Sequence, residues 1–569
     1  MKQPSTTGSR LLQGAFVLGL AAIISKIIGA FQKIPLQNLG GDGVFGIYNT
    51  VYPFYMLIIT IAAAGLPVAV SKFVAEQHAL GRPEEGKRII RLSSILLGSI
   101  GLILAILMYI GAPLIGHLIG NGHVIPSIRA AALALLFVPL MTGLRGYFQG
   151  LQQMVPTAVS QVVEQTIRVT VMIVLLLWLM KQAASLETIA AGAMLGSVAG
   201  GIAGLLTMLA YVYGRRRKSR KTSLSQEELD GLQRSGIREG QPEQWTGEGL
   251  QTKKPPTNGQ WIRTLLVYAI PVCLGSLAVP LMNLVDTFTV PRLLRTEGLD
   301  EVESMVSFGI YNRGLPLVQL VTMLATSLSV LFIPAMAEAR LKGGPEAVRQ
   351  QASIALRWFW LIGLAASAGL AVLAEPINRM LYGDAAGTEA LRYMALTAAG
   401  STVSIIAAAL LQGLGAVRAP AFSMLAAAGV KALLNVMLVP ALGISGAALA
   451  GAVAYMLAAG LNVALLARRT AMRPAPGAVL VKPALVIAAM SVAAAGMAWA
   501  AGAVLGGIGI AADRRLAAVG ISLLGIAAGA AVFLLASART GLLTATDLAA
   551  IPKLGPRLAK WLRRLHVLG

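Results

Sequence analysis

Within the long apolar stretches of this sequence stand a few ionisable residues: Lys26, Glu164, Arg168, Asp286, Arg313 and Lys431. An ionised side chain inside hydrocarbon costs roughly 2.5 to 3.5 kcal/mol on insertion scales unless it is paired or lines a wet cavity, so these residues are the first candidates for chemistry. Cations outnumber anions among them, a surplus that suits charge-assisted binding of a phosphate-like anion. Gln161, Glu164, Gln165 and Arg168 stand at i, i+3, i+4 and i+7, which places them on one helical face. That face is expected to look into a cavity. Asn49, between Tyr48 and Tyr52, is expected at the cavity's outer mouth, where tyrosine also serves as an interfacial anchor. The expected binding set is therefore Lys26, Asn49, Gln161, Glu164, Arg168, Asp286, Arg313 and Lys431. A competing reading is structural pairing, with Glu164 neutralised by Arg168 at i,i+4 and Asp286 by Arg313 at similar depth. Arg145, Gln149 and Gln152 share another face near a helix end, where snorkelling accounts for Arg145 as well as ligand contact does.

Other chemistry is excluded by what the residues cannot build. Cys273 is the single cysteine, and His78, His117, His123 and His566 lack metal-ligand spacing, so neither a disulfide nor a metal site is expected. Gly81 to Lys87 fits most of a phosphate loop, but Arg88 replaces the magnesium-binding Ser or Thr, Pro83 interrupts it, and no strand precedes it. No catalytic triad or carboxylate pair stands on a soluble domain, so the chain is expected to have no catalytic residues and no cofactor. Energy would come from an ion gradient, the membrane potential or substrate flux.

The elements that position these residues are membrane helices. The 569 residues are 56% hydrophobic and only 12% charged, with a mean hydropathy of +0.73, too little polar surface to coat a soluble globule. Fourteen apolar runs are long enough to cross about 30 Å of hydrocarbon: 11–31, 46–71, 90–113, 128–151, 157–180, 188–213, 263–290, 308–334, 353–374, 390–413, 418–439, 443–467, 480–503 and 515–538. Lys26 and the length of the first run argue against a cleavable signal peptide. Lys and Arg crowd the loops 72–91, 214–262, 335–352 and 468–482 and the C-terminal tail, whereas the alternate loop with Glu297, Asp300, Glu301 and Glu303 is acidic. By the positive-inside rule both termini are cytoplasmic, and most of the net charge of +23 is a topology signal that implies no nucleic-acid partner. The expected organisation is an N-lobe over 1–213, a flexible linker over 214–262, a C-lobe over 263–467, two further spans over 468–538 and a basic tail over 539–569. In that tail Leu558, Trp561, Leu562 and Leu565 face away from Arg557, Lys560, Arg563 and Arg564, the pattern of an interfacial helix on anionic lipid.

An internal repeat relates the lobes. Phe45-Gly46-Ile47-Tyr48-Asn49 recurs as Phe308-Gly309-Ile310-Tyr311-Asn312, and Gln149-Gly150-Leu151 as Gln412-Gly413-Leu414, both 263 positions on (308 less 45, 412 less 149). Six spans per copy give the copies one orientation, related by an axis along the membrane normal with a substrate path between them. The fold class is thus an all-α polytopic membrane protein of two pseudo-symmetric six-helix lobes plus two C-terminal helices.

Ser25 to Phe31, Tyr52-Pro53-Phe54, Ala64 to Lys72 and Gln149-Gly150 together resemble the polysaccharide-exporter branch of the multidrug/oligosaccharidyl-lipid/polysaccharide flippase superfamily, including its stage V sporulation protein B-like members. The resemblance covers essentially the whole chain and implies a flippase that moves an undecaprenyl-diphosphate-linked sugar, such as a peptidoglycan precursor, across a bacterial inner membrane. Against the related lipid II flippases, Lys26 matches a first-span Arg and Arg313 an eighth-span Arg, while Gln32-Lys33 stands where those proteins carry Arg-Asp and Asn312 where they carry a second Asp. The implied partners are the lipid-linked anionic sugar, membrane lipids and a coupling ion. Two other functions compete. A cation-coupled multidrug antiporter of the same superfamily would show net acidic lobes, and a scaffold of a cell-wall or spore-envelope complex would need neither the charges nor the repeat.

Overall fold

The computed structural model describes residues 7–63, 65–233, 256–472, 477–507 and 514–543, and the regular structure among them is entirely helical. The N-terminal lobe comprises α1 (Thr7–Phe31), α2 (Lys33–Ala63), α3 (Leu66–Ala79), α4 (Pro83–Ile110), α5 (Ala112–Ile119), α6 (Ile125–Ala134), α7 (Val138–Gly150), α8 (Met154–Lys181) and α9 (Leu186–Gln233). The C-terminal lobe comprises α10 (Asn258–Ser276), α11 (Ala278–Thr296), α12 (Glu301–Asn312), α13 (Leu315–Glu338), α14 (Gly344–Val372), α15 (Ala374–Tyr382), α16 (Thr388–Gly413) and α17 (Ala419–Thr470). Two further helices, α18 (Lys482–Gly507) and α19 (Arg515–Arg539), pair with each other and lie against α14 and α15.

Among the described residues, ten stretches are long and apolar enough to cross a membrane, and α10 with α11 makes one more, bent by 48°. Three of the ten run to 63, 72 and 52 residues. Even the shortest of these would span roughly 78 Å if straight, more than two bilayer cores, so each must fold back on itself. They do so at glycines whose backbone is not helical: Gly41 (φ 76°), Gly344 (φ 71°) and Gly443 (φ 57°). Counting each of the three as two crossings yields the fourteen read from the sequence. Prolines open several of the intervening helices, as Pro83, Pro113, Pro126 and Pro139 do for α4 to α7, positions where the missing N–H costs nothing. Large apolar side chains such as Ile103, Leu107 and Ile110 of α4 are more than half exposed, on the surface that lipid covers in a membrane.

The repeat is used where the lobes meet. A Cβ on Gly46 would run into the carbonyl oxygen of Met305, and a Cβ on Gly309 into that of Asp42. Position 42 shifted by 263 is 305, and 46 shifted by 263 is 309, so α2 and α12 cross about a pseudo-two-fold axis through reciprocal contacts, each helix approaching on the other's glycine.

One boundary differs from the sequence reading. Residues 214–233, assigned to the linker, continue α9 as helix; this segment is rich in Arg, Lys, Gln, Glu and Leu, all good helix formers once α9 has nucleated the turn. Positions 234–255 and 544–569, the latter holding the amphipathic part of the basic tail, lie outside the described residues.

Candidate functional site

Between α1 and α8 of the N-lobe and α13 of the C-lobe lies a cavity of about 400 Å³. Lys26, Gln32, Lys33, Tyr52, Arg145, Gln161, Glu164 and Gln165 line it from the N-lobe, and Gln319, Thr322, Met323 and Thr326 from the C-lobe. The polar face of α8 points into it as the periodicity requires. Glu164 is held by two arginines, Arg168 Nη2 at 2.5 Å on one oxygen and Arg145 Nη2 at 3.0 Å on the other. Arg145 also donates to Ser160 Oγ from Nε at 3.2 Å and from Nη2 at 2.9 Å. Its side chain is only 13% exposed, so it does not snorkel: α7 aims it inward, onto the carboxylate.

Lys33 was not among the residues expected to bind. It is 4% exposed, lines the cavity, and among the described residues makes no ion pair or hydrogen bond. The reason lies in the helix end. Gln32 N donates to Ile28 O at 2.9 Å and Leu36 N to Gln32 O at 3.2 Å, so the helical path continues past Phe31 to the Gly41 break. Lys33 thus falls seven residues and two turns beyond Lys26, on the same face, with Gly29 between them. Gln165 Nε2 donates to Gln32 Oε1 at 3.3 Å and Gln32 Nε2 to Tyr48 Oη at 3.4 Å, a chain of amides that closes the wall. Around this cavity Lys26, Lys33, Arg145 and Arg168 face the single carboxylate of Glu164.

Arg313 stands elsewhere. Its side chain, 1% exposed, makes bonds to two carboxylates: Nε and Nη2 to Asp42 at 2.8 and 2.5 Å, and Nη1 and Nη2 to Asp384 at 2.6 and 3.1 Å. Tyr382 stacks beneath the guanidinium at 5.3 Å and donates its hydroxyl to Arg313 O at 2.7 Å. Asp42 belongs to the N-lobe and Asp384 to the C-lobe, so this cation ties the lobes together beside the Gly46–Gly309 crossing. Burial favours the neutral form of Asp384, but the Arg313 bonds and the Ala386 N–H outweigh it and hold that carboxyl below its ordinary range. Further ties close the same, cation-poor end of the bundle. Asn38 Nδ2 reaches Leu381 O at 2.8 Å, Asn121 Nδ2 reaches Glu301 O at 2.6 Å, and Gly122 N reaches Glu301 Oε2 at 2.9 Å. Gln319 and Thr326, which do line the cavity, lie about 9 and 20 Å further along the chain from Arg313 if α13 continues its path. Lys26, Arg168 and Arg313 do not converge on one space.

Asp286 is likewise not the partner of Arg313. It accepts from Lys431 Nζ at 2.6 Å, Tyr311 Oη at 2.7 Å and Asn435 Nδ2 at 3.1 Å, a buried cluster within the C-lobe. Asp286 and Lys431 thus neutralise each other outside the cavity lining. Asn49 is 3% exposed and turns its amide back onto Phe45 O at 2.8 Å, as its repeat mate Asn312 does onto Phe308 O at 2.6 Å, so it packs the crossing and does not face the cavity. Of the expected residues, Lys26, Gln161 and Glu164 line the cavity and Arg168 supports Glu164.

Comparison with known proteins agrees with this architecture. A family described as "Polysaccharide biosynthesis protein" matches residues 11–340. The membrane protein YabM of Bacillus subtilis (strain 168) is 33% identical over 554 residues, 97% of this chain and 96% of its own. Lipid II flippase MurJ of the same organism is 28% identical over 465 residues, 79% of this chain and 81% of its own. Among solved structures, a lipid II flippase MurJ in an inward closed conformation superposes with a TM-score of 0.64 at 14% identity, covering 92% of this chain and 98% of that one. With its two helical lobes and the cavity between them, the chain belongs to the polysaccharide biosynthesis protein family and is a multi-pass membrane flippase or transporter.

Proposed function

We propose that the protein moves an undecaprenyl-diphosphate-linked sugar across a bacterial inner membrane, taking the headgroup into the cavity between the lobes from the cation-rich, cytoplasmic end and releasing it at the other. The observation that carries this reading is Lys33, an ammonium buried in the cavity wall without a counter-ion. A buried unpaired charge is costly, and a diphosphate would supply the missing anion. Arg145 and Arg168 share one carboxylate between them, which leaves the wall cationic even where it is paired. The end near Arg313 is closed by the ties to Asp42, Asp384 and Glu301, so alternating access requires those bonds to break while the cavity is occupied. A cation-coupled multidrug antiporter would place acidic groups where this wall places lysines, and a scaffold needs no such cavity.

The test is transport by the purified full-length protein in liposomes carrying a fluorescent undecaprenyl-diphosphate sugar, read by quenching from outside. Protein-dependent movement is expected, with Lys33→Gln reducing it to near the rate of empty liposomes. Movement that survives in Lys33→Gln, or none with the wild-type protein, overturns the reading.

A further inference from the structure

We infer that the cavity recognises its ligand with two chemically different walls: the N-lobe wall takes the diphosphate, and the α13 face of the C-lobe reads the uncharged sugar through Gln319, Thr322 and Thr326. This rests on the substrate class proposed above and adds the division of labour within it.

The walls have the same length and opposite chemistry. On the N-lobe side Lys26 and Lys33 lie seven residues apart, and on α13 Gln319 and Thr326 lie seven apart with Thr322 between, each pair covering about 10 Å of helix axis. An ammonium is donor-only. The threonines are the reverse. Thr322 Oγ1 donates its proton to Gln319 O at 3.2 Å, and Thr326 Oγ1 donates to Thr322 O at 2.8 Å. With both hydroxyl protons committed to the helix backbone, what these residues offer the cavity is lone pairs. A phosphate oxygen, itself only an acceptor, finds no partner there, whereas a sugar hydroxyl can donate. Gln319 has no side-chain hydrogen bond among the described residues, so its amide is free to accept from one hydroxyl and donate to another. Met323 places an apolar, adaptable surface between them, suited to the C–H face of a pyranose ring. Among the cavity-lining residues every formal charge is on the N-lobe side. The headgroup is therefore held crosswise, phosphates against one lobe and sugar against the other, so a ligand lacking either part bridges the lobes less completely.

The experiment measures binding by the full-length protein in lipid nanodiscs with two probes, undecaprenyl diphosphate and undecaprenyl-diphosphate N-acetylglucosamine. Thr322→Val with Thr326→Val keeps shape and removes both oxygens; it should weaken the sugar-bearing probe about tenfold, the loss of two neutral hydrogen bonds, and leave the sugar-free probe within twofold. Thr326→Ser in the Thr322→Val background should recover part of the loss, which a mere packing defect would not. Lys33→Gln should weaken both probes by the same factor. Equal weakening of both probes by the threonine pair, or of neither, overturns the division of walls. Failure of the wild-type protein to bind either probe overturns the substrate class itself, and with it this inference.

Discussion

Removing one carboxylate from Arg313 should open the cation-poor end of the bundle. Asp42→Asn keeps the volume and one acceptor oxygen but loses the charge that holds Nε and Nη2 at 2.8 and 2.5 Å. Hydrogen bonds to charged groups contribute about 1.5 to 3 kcal/mol each. One contact survives in weakened form and Asp384 still faces the guanidinium, so the net loss comes to about 2 kcal/mol of the closed arrangement, roughly a thirtyfold shift toward opening. Ser185 of the N-lobe and Val302 of the C-lobe line the same small pocket across this seam and report its width. With the one native cysteine replaced by Cys273→Ser, a Ser185→Cys, Val302→Cys pair should cross-link efficiently in the otherwise unchanged chain and much more slowly with Asp42→Asn. Arg313→Ala should act in the same direction, and the two together should not add, because both remove one interaction. Unchanged cross-linking in folded Asp42→Asn protein would refute the idea that this cation closes the seam. So would full additivity of the two variants.

Acid should loosen the same seam through Asp384. Its carboxyl is held below the ordinary range, so its contribution is present above the usual carboxylate value and lost as pH falls through the lowered one; Asp384→Asn should abolish that acid step in the cross-linking assay. Gly46→Ala should prevent the α2–α12 approach, since its Cβ meets Met305 O, and should cost about 1 to 3 kcal/mol of the closed form, visible as a lower Tm together with slow cross-linking. Lys431→Met should leave Asp286 buried without its cation and lower stability by about 3 to 5 kcal/mol, while adding Asp286→Asn should restore most of it. A double variant no more stable than the single would show that the pair is not mutually neutralising.

Run length, charge placement and repeat offset are local or one-dimensional properties, and the linear sequence carried them. Apolar runs long enough for hydrocarbon imply fourteen crossings whatever their arrangement, and the 263-residue offset implies two lobes of like orientation. The i, i+3, i+4, i+7 spacing on α8 likewise set the shared face of Gln161, Glu164 and Arg168, because helical phase follows from position alone. Neighbours do not. Whether Asp286 meets Arg313 or Lys431 depends on how α11 is rotated against α12 and α17, and two residues at similar depth can face different helices. Arg145 is legible as either a snorkelling or an inward side chain until α7 is packed against α8. Lys33 sits just beyond the first apolar run, and the resemblance marks only its place in a first-span pattern; the continuation of helix from Phe31 to the Gly41 break is what turns it into the cavity. Asp42 and Asp384, 342 positions apart (384 less 42), become partners of one arginine only because the crossing at Gly46 and Gly309 brings the lobes within backbone contact. Tertiary packing decided the partner of every paired buried charge outside α8, since an ion pair needs atoms within about 4 Å and sequence periodicity fixes the direction of a side chain without fixing what lies opposite it.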